Sequence, residues 1–419
     1  MQTLENRIKK DIETLATYTS TPGNGVTRSS YSKEDQMAKA YLIEEMKKLN
    51  LNIYEDGFGT LFGRKEGTMK EAPVVMFGSH YDSVVNAGAF DGVAGSIAAL
   101  EVMRVLNENN IVNDYPLELI LMNAEEGGTF GASTGVSNSR AMVGTMTQHE
   151  LATVKNRFNQ TKLEAMAEYG LIPNLETAKK EPGSIKNFVE LHIEQGPVLE
   201  KENIEIGLIK YLAGIGRFTV RFYGETADST ASMNERKDAL VAASNFIAEF
   251  DKKIKSLGPD VTGMVGMLNI TPNSNQFVPE FVEGKIEIRT FTKKIVEEND
   301  FKQCIHDILV KVGNEFNIKV ELEEITRINY QNPTGPSIMC ADNVKKMETI
   351  CDELGYSHMI INNGTGHDSM IMTDFCDTNM IYVPSVNGVS HCPEEWTDYE
   401  SIKKGADVLL HLIMDLSKK

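Results

Sequence analysis

Several acidic residues and histidines stand in short polar runs beside predicted strands and helices. His80 is followed two residues later by Asp82, whose carboxylate can hold the second imidazole nitrogen and fix the tautomer for metal binding. Asp91 precedes a predicted helix, while Glu125 and Glu126 are adjacent after a predicted strand. Adjacent side chains diverge there, so one glutamate can bind metal while its neighbour remains free as a base. Three further histidines lie in similar surroundings: His192, His367 and His391.

These residue types predict a particular kind of metal site. Imidazole and carboxylate donors without thiolate suit Zn²⁺ or Mn²⁺, and an aspartate able to bridge two ions suggests a two-metal site. Each residue alone has a simpler reading, because a lone His is most often a satisfied polar group and Asp91 also suits a helix cap. Glu125 and Glu126 alone would be a solvated turn. Their occurrence together favours the metal site.

The elements around these residues indicate an α/β fold. A buried strand is predicted over 72–78, ending before Ser79, followed by a helix from Val93 and a second strand over 117–122. Such a strand–helix–strand unit implies a mainly parallel sheet covered by helices, with ligands at the carboxyl edge of its strands. His192 lies in the segment 188–196, which we interpret as an alternating strand.

A different pattern occupies residues 209–325. Alternating segments and amphipathic helices follow one another there as strand, helix, strand, strand, helix and strand. We therefore expect a small α+β domain inserted into a discontinuous larger domain formed by 1–208 and 326–419.

Composition excludes several classes of partner. The 419 residues include 42 Lys and Arg against 60 Asp and Glu, a formal charge of −18 that disfavours nucleic acid and anionic membranes. No run is long and apolar enough for a membrane span, and the N-terminal segment lacks the apolar core of a signal peptide. The five cysteines form no C-x-x-C pair, so we expect reduced thiols and a cytoplasmic location.

The motifs around these residues resemble those of a known family, the M20-type dimetal amidohydrolases. The closest resemblance is to its hydantoinase/carbamoylase branch, which includes N-carbamoyl-L-amino-acid hydrolases, β-ureidopropionases and allantoate amidohydrolases. The matching runs are Gly78-Ser-His-Tyr-Asp82, Phe90-Asp-Gly92, Glu125-Glu-Gly127, Glu190-Leu-His-Ile-Glu-Gln-Gly196, Gly364-Thr-Gly-His-Asp368 and Asn387-Gly-Val-Ser-His391.

The resemblance implies a role for each matching residue. It implies two divalent ions per subunit (Zn²⁺, Mn²⁺, Co²⁺ or Ni²⁺), with Asp91 bridging, Glu125 as general base and Asp82 orienting His80. The implied metal ligands are His80, Asp91, Glu126, His192 and His391. The implied substrate-binding residues are Gln195, Arg289, His367, Gln276 and Asp228, with Arg289 pairing with a substrate carboxylate. The inserted domain is implied to be a ferredoxin-like lid that also forms a homodimer.

Three positions of the inserted domain depart from the family pattern. The family's oxyanion-binding His corresponds to Asp228, in a run that is one residue shorter than usual. A substrate-binding Gln corresponds to Ile215, and an Asn corresponds to Gln276. With the metal-binding set intact, these changes indicate a different substrate.

The sequence therefore predicts a metal-dependent hydrolase of a linear amide or ureido C–N bond in a small acid. Two alternatives remain open. One is a related aminopeptidase, dipeptidase or N-deacylase, because the metal core is shared. The other is a non-catalytic, metal-dependent ligand-binding protein, against which the intact Glu125 argues.

Overall fold

A computed structural model describes residues 1–131, 135–292, 294, 300–327 and 336–419. The chain forms two compact units: the first comprises Met1–Lys210, Ile338–Ile361 and Thr365–Lys419, and the second Tyr211–Ser337 and Asn362–Gly364. The second unit thus extends beyond the predicted 209–325. It includes 362–364 because Asn363 accepts a hydrogen bond from the Ala213 amide and Gly364 accepts one from Arg289.

The helices and strands of the described residues are as follows. The helices are Glu5–Ala16 (α1), Lys33–Lys47 (α2), Val93–Glu108 (α3), Ser137–Met142 (α4), Gln148–Thr153 (α5), Lys162–Tyr169 (α6), Leu175–Ala178 (α7), Val198–Glu202 (α8), Ala239–Ser256 (α9), Phe301–Glu315 (α10), Ala341–Leu354 (α11), Asp368–Met372 (α12) and Tyr399–Leu416 (α13). The strands are Asn52–Glu55 (β1), Leu61–Lys65 (β2), Val74–His80 (β3), Leu117–Met122 (β4), Ile185–Ile193 (β5), Ile206–Leu212 (β6), Gly214–Tyr223 (β7), Ala227–Asp228 (β8), Val261–Thr271 (β9), Phe277–Val278 (β10), Phe281–Thr290 (β11), Lys319–Arg327 (β12), Ser337–Ile338 (β13), His358–Asn363 (β14) and Asp377–Val383 (β15).

The first unit is built around a mostly parallel central sheet. Its strands follow the order β1-β2-β4-β3-β5-β15-β6-β13, with β14 also paired to β6. The four strands β4, β3, β5 and β15 are parallel, and the neighbours β2 and β6 join them antiparallel. Parallel strands end at the same edge of a sheet, so the residues that follow β3, β4, β5 and β15 come together.

Two sequence predictions about this sheet are wrong. The strand predicted over 72–78 continues through Ser79 and His80, because these two residues pair in register with Leu121 and Met122 of β4, and the Ser79 hydroxyl is satisfied by Glu190 (2.7 Å) on β5. The segment around His192 does not alternate, since β5 is buried at every residue from Asn187 to Ile193. A central strand covered by helices on both faces has no solvent side to produce an alternating pattern.

The second unit contains a four-stranded antiparallel sheet with the order β12-β7-β11-β9. Helices α9 and α10 pack on one face, where Phe218, Phe246 and Leu309 belong to one hydrophobic core. The elements occur in the predicted order of strand, helix, strand, strand, helix and strand. The short strands β8 and β10 form a separate two-stranded pair.

None of the helices in the described part of the chain combines the length and the apolar character needed to cross a membrane.

Candidate metal centre

The candidate metal ligands lie in the first unit, at the carboxyl edge of its central sheet. His80 is the last residue of β3, and His192 is the penultimate residue of β5. Glu125 and Glu126 follow β4, while Asp91 and His391 lie in loops. His80 and His192 are 1% exposed and Asp91 is 3% exposed, so these three side chains are withdrawn from solvent.

Asp91 faces two imidazoles instead of capping a helix. The N-cap of α3 is Gly92, which makes no side-chain cap, and its φ of 65° lies in the left-handed region. A Cβ at Gly92 would lie 2.3 Å from the His80 ring, so only glycine fits at this approach. The Asp91 carboxylate is therefore free to lie beside His192 and His391.

Two groups of potential ligands share Asp91. In the first group, Asp91 Oδ1 lies 3.1 Å from His192 Nε2 and 3.8 Å from His80 Nε2. In the second, Asp91 Oδ2 lies 2.9 Å from His391 Nε2, which is 3.4 Å from Glu126 Oε1. Within each group the donor atoms lie within 4.8 Å of one another. One carboxylate thus offers one oxygen to each group.

Glu125 lies beside both groups. Its Oε2 is 3.8 Å from His80 Nε2, and it forms a third possible group with His80 and Glu126. Burial raises the pKa values of Glu125 and Glu126 well above those of ordinary glutamates. A nearby cation would be needed to keep both carboxylates ionised.

Asp82 contacts three of the predicted residues at once. Its Oδ1 lies 3.4 Å from His80 Nδ1 and accepts a hydrogen bond from the Glu125 amide (3.1 Å). Its Oδ2 accepts from the Glu126 amide (3.2 Å) and from the Ser30 hydroxyl (2.8 Å). Asp82 therefore connects the end of β3 to the segment after β4, in addition to contacting the His80 imidazole.

Two predicted substrate-binding residues lie next to these ligands. The Gln195 amide donates to Asp91 Oδ2 (3.1 Å), while its Oε1 is buried without a hydrogen-bond partner. The His367 ring centroid is 4.4 Å from that of His192, and His367 Nε2 lies 2.6 Å from the Tyr382 hydroxyl. Burial holds the pKa of His367 well below the usual value. Tyr382 could not be singled out from the sequence, because a tyrosine in a buried strand carries no distinguishing signal.

The remaining predicted substrate residues lie in the second unit. Arg289 pairs with Glu287 Oε1 (2.7 Å from Nη2) and donates to the carbonyl of Gly364. Ile215, the residue that replaces the family's Gln, is the register partner of Arg289 in the sheet and is buried.

Asp228 and Gln276 lie close together within this unit. Asp228 is exposed, and its Oδ1 accepts from the amide (2.9 Å) and hydroxyl (2.7 Å) of Thr230. These hydrogen bonds lower the pKa of Asp228. The Gln276 carbonyl accepts from the Ser229 amide, and Asp228 pairs with Phe277. Two of the three departures from the family pattern are therefore neighbours in space.

The donor set fits a pair of divalent cations. It combines imidazole nitrogens with carboxylate oxygens, which suits Zn²⁺ and Mn²⁺. Glu126 Oε1 is buried without a hydrogen-bond partner, as expected of an oxygen reserved for a cation. His192 Nδ1 lies 2.9 Å from the Ile193 carbonyl, so donation through Nδ1 would leave Nε2 available as a ligand.

A sheet whose parallel strands carry these donors at their carboxyl edge defines an α/β protein with a candidate two-metal site. The chain belongs to the peptidase family M20/M25/M40, whose sequence profile matches residues 76–415. This confirms the predicted M20 resemblance.

Curated relatives and a solved structure match nearly the whole chain. It is 34% identical to an N-carbamoyl-L-amino-acid amidohydrolase of Paenarthrobacter aurescens over 98% of both chains. It is 30% identical to an allantoate amidohydrolase of Bacillus subtilis over 99% of this chain and 98% of that one. A crystal structure of a hydantoinase/carbamoylase family amidase from Burkholderia multivorans matches with a TM-score of 0.85 and 27% identity, covering 100% and 99% of the two chains. The prediction of an amidohydrolase is thereby confirmed.

Proposed function

We propose that this chain uses two divalent cations to hydrolyse a linear amide or ureido C–N bond in a small acidic substrate. The observation that carries the proposal is the Asp91 carboxylate, which presents one oxygen to each of two ligand groups. The names of the relatives, which include a carbamoyl amino acid and allantoate as substrates, support the bond type.

His80, Asp91 and His192 would hold one cation, and Asp91, Glu126 and His391 the other. Such a pair of cations, when bound, polarises a carbonyl and lowers the pKa of water, which makes hydroxide available at neutral pH. Zn²⁺, Mn²⁺, Co²⁺ and Ni²⁺ are the candidate ions. Asp82 would orient His80 and hold the segment that carries both glutamates.

Glu125 is proposed as the proton carrier. It accepts a proton from the attacking water as the new C–O bond forms. It then delivers that proton to the leaving nitrogen as the C–N bond breaks. Its position beside both ligand groups and the raised pKa caused by burial support this role.

Five side chains are proposed to recognise the substrate. Gln195 and His367 of the first unit would contact the reacting group. Arg289 would bind a substrate carboxylate through its planar guanidinium. The second unit would act as a lid and form a homodimer, with Asp228 and Gln276 contacting the part of the substrate that differs from a plain N-carbamoyl amino acid. Their proximity supports a joint change of specificity.

Metal analysis and two matched variants test this proposal. Glu125→Gln should retain two cations and lower kcat by about two orders of magnitude or more, the usual range for general base catalysis. Glu126→Gln should lose one cation. Near-normal turnover of Glu125→Gln, or the absence of metal in wild-type protein after incubation with Zn²⁺, Mn²⁺ or Co²⁺, would contradict the proposal.

A substrate screen separates the bond types. We expect turnover of ureido acids or N-carbamoyl compounds, whereas turnover of dipeptides or N-acyl amino acids alone would favour a peptidase or deacylase. Metal binding with no turnover of any class would favour a ligand-binding protein. The predicted cytoplasmic location is checked separately by cell fractionation.

A further inference from the structure

A carboxylate outside the predicted site joins two of its loops. Glu395 is 3% exposed, and each of its two carboxylate oxygens accepts two hydrogen bonds. Oε1 accepts from the amides of Phe90 (3.1 Å) and Asp91 (3.0 Å). Oε2 accepts from the Ser390 hydroxyl (2.7 Å) and from the His391 amide (3.3 Å).

The two loops carry the candidate ligands Asp91 and His391. Glu395 and Asp91 are 304 positions apart in the chain, yet Asp91 Oδ2 and His391 Nε2 lie within 2.9 Å. We infer that Glu395 is a positioning residue that holds Asp91 and His391 at the spacing needed to share the second cation. This inference rests on the proposed function.

The backbone of the His391 loop needs such support. His391 has a φ of 59°, in the left-handed region that residues other than glycine seldom adopt. Such conformations persist where surrounding contacts hold them in place. The Glu395 contacts to the Ser390 hydroxyl and the His391 amide provide two such contacts at this turn.

The same contacts extend to Gln195. Its φ is 55°, and its side-chain amide donates to the Ser390 hydroxyl (3.2 Å). Ser390 thus links Glu395 to a proposed substrate-binding residue as well as to the metal ligands. A change at Glu395 should consequently affect the Gln195 side chain.

A carboxylate suits this position better than an amide. Three of its four partners are backbone N–H groups, which can only donate, and they lie on both oxygens. A glutamine would turn its own NH₂ group toward at least one of them. The close approach of Gly88, where an added Cβ would lie 2.4 Å from Glu395 Cβ, leaves the side chain little room to move away.

Glu395→Gln and its exposed neighbour Glu394→Gln form a matched pair for the test. We expect Glu395→Gln to weaken Mn²⁺ or Zn²⁺ binding by roughly 10- to 100-fold, the usual effect of removing an outer-shell partner. Glu394→Gln should bind as wild type does. Activity of Glu395→Gln should recover at saturating metal, whereas a merely structural defect would not be rescued in this way.

Hydrogen exchange of the metal-free protein supplies a second readout. After chelation, exchange at the amides of Asp91 and His391 should be faster in Glu395→Gln than in wild type. Ser390→Ala, which leaves the carboxylate intact, should raise exchange at the His391 loop alone and keeps the test available if Glu395→Gln does not fold.

The possible outcomes are distinct. Wild-type metal affinity in Glu395→Gln, or exchange unchanged in both variants, would overturn the inference. If wild-type protein bound no cation, the proposed function would fail and this inference with it. In that case the exchange data would still show whether Glu395 couples the loops.

Discussion

Asp82→Asn is a sensitive perturbation of the candidate centre. The substitution preserves size while replacing one acceptor oxygen by an NH₂ group. In one orientation the NH₂ faces the Glu125 amide, and in the other it faces the Glu126 amide, so one backbone donor always loses its acceptor. Leaving a buried donor unpaired costs about 1–3 kcal/mol, and we expect that loss in the free energy of unfolding.

The same substitution should weaken metal binding. The orientation that keeps an oxygen near Glu126 turns the NH₂ group toward His80 Nδ1, 3.4 Å from the present Oδ1. A ligating His80 Nε2 needs its proton on Nδ1; in this orientation that proton would face the NH₂ group and keep only the Asp82 carbonyl, 3.1 Å away, as an acceptor. We expect metal affinity to fall roughly 10- to 100-fold, as for other outer-shell partners of ligating histidines.

Two measurements test these effects of Asp82→Asn. Denaturant unfolding of the chelated protein measures stability, and titration with Zn²⁺ or Mn²⁺ measures affinity. Ser30→Ala is the control, because it removes one donor to Asp82 and keeps the charge, at an expected cost of about 1 kcal/mol. An Asp82→Asn variant with the free energy of unfolding and the metal affinity of wild type would show that the Asp82 carboxylate is not needed at this position.

Three further predictions concern recognition and pH. Arg289→Ala should weaken the binding of acidic substrates by about 1.5–3 kcal/mol, measured as a rise in KM. Arg217→Ala, which also loses a contact to Glu287, is the control and should leave KM unchanged. An unchanged KM of Arg289→Ala for every acidic substrate would make Arg289 a surface residue. Asp228→His should create or increase hydrolysis of N-carbamoyl amino acids and lower the native activity, because an imidazole can donate a hydrogen bond to an oxyanion and a carboxylate cannot. If Asp228→His and Asp228→Ala both leave all activities unchanged, Asp228 lies outside the site. Burial raises the pKa of Asp35 to about 7 in the folded state. The protonated Asp35 therefore contributes most to the free energy of unfolding below about pH 4, and this contribution is lost as pH rises through 7, at up to about 1.4 kcal/mol per pH unit. In metal-free protein, the free energy of unfolding of Asp35→Asn should change less with pH across this range than that of wild type. Equal pH dependence in the two proteins would show that Asp35 does not have this raised pKa.

The candidate metal ligands could be proposed from the sequence because their signal is local. His80 and Glu125 follow apolar runs that read as strands, and the parallel arrangement brings strand ends together. The order of elements in the second unit was likewise predictable, since β11 alternates between buried and half-buried residues and β7 places the half-buried Arg217 and Arg221 between apolar residues.

Other features depend on contacts between distant segments. Glu395 follows His391 by four residues in an acidic pair, which reads as a solvated turn until Phe90 and Asp91 are placed beside it. The buried Ser79 hydroxyl within β3 is satisfied by Glu190, more than a hundred positions away. Neither contact leaves a periodic pattern in the sequence.

The discontinuous first unit has a consequence for biosynthesis. Strand β5 is flanked in the central sheet by β3 and β15, and the second unit is encoded between β5 and β15. A nascent chain emerging from the ribosome therefore exposes one side of β5 until Asp377–Val383 has been made. The second unit, whose four-stranded sheet comes from one continuous stretch of the chain, Tyr211–Ser337, can fold during this interval. Truncation between Gly364 and Asp377 should accordingly yield chains that retain a folded second unit but have an open sheet edge prone to aggregation.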